Sequence, residues 1–118
     1  MRRAPAGVVI LLLGLAISVR GQSTNASLSG RITDPSKAVI PDAKIAAIRA
    51  DTNVRYETTT SASGEYYLAN LPPGPYRLEI GKPGFKKLIK RDVTLHVQDT
   101  LEINFEMTLG AGSETVTV

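Results

Sequence analysis

Along most of this chain apolar and polar residues alternate with a period of two, the spacing of strands whose successive side chains face opposite sides of a sheet. Leu101, Ile103, Phe105, Met107 and Leu109 alternate with Glu102, Asn104, Glu106 and Thr108. One buried and one wet face predicts a layer of an antiparallel sandwich. Tyr66 and Leu68 share one face of the run 64–70. Tyr76, Leu78 and Ile80 share one face of the run 75–80, with Glu65, Arg77 and Glu79 opposite. Between these runs lies Leu71-Pro72-Pro73-Gly74, where two prolines cannot donate to a ladder and glycine readily takes positive φ. This predicts a hairpin or a sheet-to-sheet corner.

The same reading extends over the rest of the chain. Leu28, Gly30 and Ile32 mark a first strand, closed by Asp34-Pro35-Ser36-Lys37. Residues 43–51 form a second, with Ile45 and Ala47 on one face and Lys44 and Ala46 on the other. Ile48 is out of step, which requires a covered face or a bulge. Residues 54–60, rich in Thr and carrying Tyr56, read as an edge strand, and Val93, Leu95 and Val97 alternate beyond Phe85, which is placed to cap the core. Turn signals recur at the spacing of a sandwich or barrel, and no helical periodicity is sustained from Gln22 onward. The predicted class is all-β.

The amino end departs from this pattern. Met1-Arg2-Arg3 precedes the apolar run Val8–Ile17, the outline of a secretory signal peptide. The run falls short of the roughly 20 residues of a membrane-spanning helix. Small residues allow cleavage after Ser18 or, as preferred here, after Gly21. The expected organisation is a helical signal peptide over 1–21, a flexible lead-in over 22–27, a β-sandwich domain over 28–109, and a linker with a β-prone tail over 110–118.

Charge changes its meaning once the leader is set aside. The whole chain has 14 basic and 11 acidic residues, but Arg2, Arg3 and Arg20 belong to the leader, so the remainder is balanced. Nucleic-acid binding, which calls for a net positive domain with a basic face, is therefore not expected. Arg77, Lys82, Lys86, Lys87, Lys90 and Arg91 cluster, while Asp92, Asp99, Glu102, Glu106 and Glu114 follow; adjacent strands with complementary wet faces account for both. With no cysteine, disulfides and thiolate metal sites are excluded.

Candidate chemistry is sparse. His96, the single histidine, sits opposite the apolar set and lacks nearby partners for general-base work. Asp34, Asp42 and Asp51 do not have calcium-loop spacing and read as turn formers. Ser61, Ser63 and Gly64 do not make a nucleophile elbow. Asn25-Ala26-Ser27 matches a glycosylation sequon. No catalytic, cofactor or metal residues are expected. Exposed aromatics could stack on sugar rings. Tyr66, Tyr76, Phe85 and Phe105 are claimed by the core, leaving Tyr56 and Tyr67 outward, with the basic residues Lys86, Lys87, Lys90 and Arg91 as possible ligand contacts.

Four segments resemble the carboxypeptidase regulatory-like domain: Gly30-Arg31-Ile32-Thr33-Asp34, Ile40-Pro41-Asp42-Ala43-Lys44-Ile45, the stretch from Gly64-Glu65-Tyr66-Tyr67 through Leu71-Pro72-Pro73-Gly74-Pro75-Tyr76, and Pro83-Gly84-Phe85. The resemblance implies a transthyretin-like, Ig-like, seven-stranded β-sandwich of the carbohydrate-binding-like class, used as a non-catalytic accessory module. With the leader and the ending Glu114-Thr115-Val116-Thr117-Val118, the chain also resembles the amino-terminal extension of TonB-dependent outer-membrane receptors. That implies export to the periplasm or outer membrane of a Gram-negative bacterium, or secretion, in a detached or truncated first domain. Its expected partners are proteins or envelope glycans. Membrane association would come only through a receptor barrel or an uncleaved leader. The function expected is structural or protein-interacting, with carbohydrate binding as the alternative.

Overall fold

A computed structural model describes residues 24–118; the expected signal peptide lies outside the described residues. Nine strands follow in order: β1 (Ala26–Thr33), β2 (Lys44–Arg49), β3 (Arg55–Thr59), β4 (Glu65–Leu71), β5 (Gly74–Gly81), β6 (Lys87–Leu95), β7 (Thr100–Glu102), β8 (Phe105–Glu106) and β9 (Thr115–Thr117). They form two sheets. One has the order β4-β1-β7, with β8 pairing β1 further along, and the other runs β3-β2-β5-β6-β9. The core between them holds Leu28, Ile32, Ile45, Tyr66, Leu71, Tyr76, Leu78, Ile80, Leu95 and Met107, each buried.

The all-β sandwich agrees with expectation, but there are nine strands where seven were expected, and the sheets are mixed where antiparallel pairing was expected. β7 and β8 both run parallel to β1, in registers Leu28↔Leu101 and Ile32↔Phe105, and β9 runs parallel to β6. Antiparallel neighbours arise when a tight turn folds a strand back within its own sheet. Here the turn after β6 instead carries the chain into the other sheet, so the direction of β7 is set by that crossing. The turn is closed by the Asp99 carboxylate accepting from the His96 amide at 2.8 Å. It leaves His96 and Val97 exposed, whereas Val97 was expected to continue the apolar face.

The single long strand expected over 101–109 is broken in two. An unbroken parallel ladder would have the Ile103 carbonyl accept from the Arg31 amide. The carbonyl instead turns inward and accepts from the Tyr66 hydroxyl at 2.6 Å, while Asn104 Oδ1 accepts from the Arg31 amide at 2.9 Å. Gly30 is what permits this, because a β-carbon there would overlap the Ile103 carbonyl group. Beyond β8, Met107 is buried but Leu109 is 72% exposed, so the expected apolar face ends two residues early.

Ile48 is explained by a covered face. β2 pairs without a bulge, and Ile48 lies between Arg55 of β3 and Arg77 of β5 and is only 1% exposed. The bulge sits in β6, where Arg91 and Asp92 together oppose Arg77 and Asp92 takes φ 60°. The Leu71–Gly74 segment is the corner through which β4 in one sheet leads to β5 in the other. Tyr76 donates to the Pro72 carbonyl at 2.6 Å and Arg49 Nη1 to the Pro73 carbonyl at 2.8 Å, so both proline carbonyls are satisfied. At the chain's start, β1 begins at Ala26, buried to 2%, inside the stretch read as a flexible lead-in.

Candidate functional site

The outward face of the β4-β1-β7 sheet carries a concavity. Odd-numbered residues of β1 point away from the core, so Ser29 and Arg31 face out. Register places Tyr67 of β4 beside Ser29 on one side and Glu102 of β7 on the other. Glu65 stands beside Arg31, and Nη2 of Arg31 reaches Oε1 of Glu65 at 3.0 Å. Together with Asn104, and with Thr58 and Thr59 of β3 at the edge of the other sheet, these residues line a shallow groove of about 910 Å³. Its floor is low because Ser29, the central residue, is small.

Electrostatics in the groove are uneven. Arg31 and Glu65 neutralise one another, an exposed pair of little net worth. Glu102 makes no ion pair among the described residues. Beneath the groove, burial pushes the Tyr66 hydroxyl pKa well above its ordinary value, and the Glu102 charge pushes the same way. The hydroxyl therefore keeps its proton and remains the donor to Ile103.

The structure divides the ligand contacts expected from sequence. Tyr67 is outward, 62% exposed, and belongs to the groove. Tyr56, expected outward, is half-buried against the core, edge-on to Tyr76 at a centroid separation of 6.3 Å. It pairs with Ala47, which faces inward, so the strand that looked polar presents its ring to the interior. The basic residues lie in or beside β6 of the other sheet. Lys86 approaches Glu114 at 3.6 Å, and Lys87 pairs with Glu79 at 3.0 Å. Lys90 opposes Leu78 and shares the inward side of β6 with Leu88, while Arg91 is exposed in the bulge. Tyr67 and the basic stretch thus occupy different sheets and do not form one surface.

Glu79 holds the second polar cluster together. Its carboxylate accepts from Arg77 Nε at 3.0 Å and pairs with Lys87 at the same distance. Burial alone would raise its pKa, but the two cations outweigh that and hold it below the ordinary carboxylate range. The three aspartates weighed for calcium are occupied otherwise. Asp34 Oδ1 accepts from the amides of Ser36 and Ala38 and from the Ser36 hydroxyl, Asp42 takes a left-handed turn conformation at φ 57°, and Asp51 pairs with Arg49 at 2.8 Å. Among the described residues no three acidic or histidine side chains are grouped to hold a metal ion.

Sequence reasoning missed Ser29, Arg31, Glu102 and Asn104. Their period-two positions marked them as outward, but only the parallel pairing of β7 with β1 brings Glu102 across from Tyr67.

A model of the carboxypeptidase regulatory-like domain matches residues 27–108, the span from β1 through β8. The chain belongs to the carboxypeptidase regulatory-like domain family. It is 27% identical over 112 residues to the TonB-dependent transporter Oar of Myxococcus xanthus, a match that covers 93% of this chain and 10% of that protein. This chain therefore spans about a tenth of the length of that relative. Among solved structures, the Bacillus anthracis TIE protein superposes with a TM-score of 0.60 at 20% identity, over 73% of this chain and 17% of that one. A chain of the type II cohesin–X-dockerin complex from Acetivibrio cellulolyticus gives 0.55 at 18% identity, over 72% of this chain and 58% of that one. At these identities the likeness is one of fold. In this chain the proline-glycine corner and Gly30 have structural roles: one turns the chain between sheets and the other admits the inward carbonyl.

Proposed function

We propose that this chain serves as an exported, non-catalytic accessory domain at the amino end of a TonB-dependent transporter in a Gram-negative envelope, with a structural or protein-contacting role. The observation that carries this reading is the match to Oar, which takes in nearly all of this chain and only a tenth of that transporter. That proportion fits a single appended domain. The basic start and apolar run at the amino end support export.

A rigid two-layer sandwich suits such a role, because recognition surfaces work best when held on a packed scaffold. The same fold within a chain of a cohesin–X-dockerin complex supports a protein-contacting use. An antiserum raised against residues 24–118, applied to fractionated source cells, tests the reading. The expected result is a band in the envelope fraction, at the size of a transporter, with its mature amino terminus at Gln22. A band in the cytosolic fraction alone would refute it.

A further inference from the structure

We propose that the outward groove of the β4-β1-β7 sheet binds a neutral saccharide, with Tyr67 as the stacking surface and Glu102 as the principal partner for its hydroxyl groups. This goes beyond the accessory-domain reading and does not rest on it; a failure here would leave the transporter relation untouched.

Three observations carry the assignment. The first is shape. Tyr67, Ser29 and Glu102 lie side by side across three strands, so a flat ring and a carboxylate flank a small hydroxyl residue. The trough runs beside Tyr67, which is 62% exposed and has no aromatic neighbour on this face.

The second is unspent hydrogen-bonding capacity. Among the described residues, the Tyr67 hydroxyl, the Ser29 hydroxyl and the Glu102 carboxylate make no hydrogen bond or ion pair. Asn104 spends its carbonyl on the Arg31 amide at 2.9 Å, which fixes the side chain and leaves its two amide protons unused. A carboxylate acceptor, an amide donor and two hydroxyls around a ring platform suit a pyranose, whose C–H face stacks while its rim of hydroxyls both donates and accepts.

The third is charge. Arg31 is paired with Glu65 at 3.0 Å, so Glu102 is the one formal charge in the groove without a partner. That disfavours phosphate, sulfate or carboxylate ligands relative to uncharged ones. A protein partner would be expected to seat an apolar anchor in a dry pocket, and the groove is open and lined mainly by Ser, Thr, Glu, Arg and Asn.

The test is a titration of the purified, isotope-labelled chain with maltotetraose, cellotetraose and chitotetraose, followed by amide chemical shifts. At least one tetrasaccharide is expected to give saturable shifts at residues 29, 31, 67 and 102, with a dissociation constant on the order of 1 mM. Tyr67→Phe should retain binding. Tyr67→Ala and Glu102→Gln should each weaken it about tenfold or more, while leaving the urea unfolding midpoint near that of the parent chain. The proposal is overturned if none of the three shifts these amides. Unchanged binding by Tyr67→Ala overturns it too, as does equal or tighter binding of a sulfated tetrasaccharide in the groove.

Discussion

Replacing Gly30 with Ala sets local preference against tertiary packing, and the two predict opposite signs. Glycine within a strand is entropically costly, so on local grounds alone alanine should stabilise by roughly 0.5–1 kcal/mol. In the folded chain, however, the added methyl would overlap the Ile103 carbonyl and stand 2.8 Å from a ring carbon of Tyr66. Neither neighbour can give easily. The carbonyl is backbone, and the ring is held by its hydroxyl bond to that same oxygen at 2.6 Å and by Phe105, whose ring centroid is 6.4 Å away. Overpacking of this kind costs about 1–3 kcal/mol, and loss of the Tyr66 hydrogen bond adds about 1 kcal/mol. Set against the local gain, the net expectation is a loss of about 1–3.5 kcal/mol in urea unfolding. Gly81→Ala is the matched control, since a β-carbon at Gly81, the last residue of β5, meets nothing within 4 Å. It should be neutral or stabilising by up to about 1 kcal/mol. A Gly30→Ala variant as stable as Gly81→Ala would refute the account of the broken strand.

Two further outcomes are expected. Tyr76→Ala should cost roughly 3–5 kcal/mol in denaturant unfolding, since the ring is 1% exposed in the core, whereas Tyr76→Phe should cost about 1 kcal/mol by losing the bond to the Pro72 carbonyl. A loss below about 1 kcal/mol for alanine would contradict the proposed core face. Glu79 has a depressed pKa, so its contribution is present above its unfolded-state value and is lost as pH falls through the lower folded one. The urea midpoint should therefore drop less steeply below about pH 4 in Glu79→Gln than in the parent, and parallel curves would argue against the Arg77–Glu79–Lys87 cluster.

Much of the architecture was legible because strand periodicity is a local property. The faces of Tyr66 and Leu68, of Tyr76, Leu78 and Ile80, and of Phe105 and Met107 follow from alternation, and each of these residues is buried as that alternation requires. Tyr56 was misread because a Thr-rich strand looks wet on both sides. Its ring is drawn inward by Tyr76, a residue 20 positions away in sequence. Val97 and Leu109 were misread because alternation persists in the sequence after the strand partner that would cover it has ended. The groove was half legible: Tyr67 was marked as outward, but its companions were sought in the basic stretch, which pairs into the other sheet.

The sequence by itself determined where most of the strands lie, which face of most of them is apolar, where the Leu-Pro-Pro-Gly corner turns, and that charge is balanced over residues 22–118. These follow from side-chain alternation, from proline and glycine backbone limits, and from counting. Only the tertiary structure decided that β7 and β8 run parallel to β1, that the Ile103 carbonyl leaves the ladder for Tyr66, and that Ser29, Tyr67 and Glu102 stand in one row. Register between strands depends on long-range packing, and the alternation within a strand is unchanged whichever neighbour it meets and in whichever direction that neighbour runs.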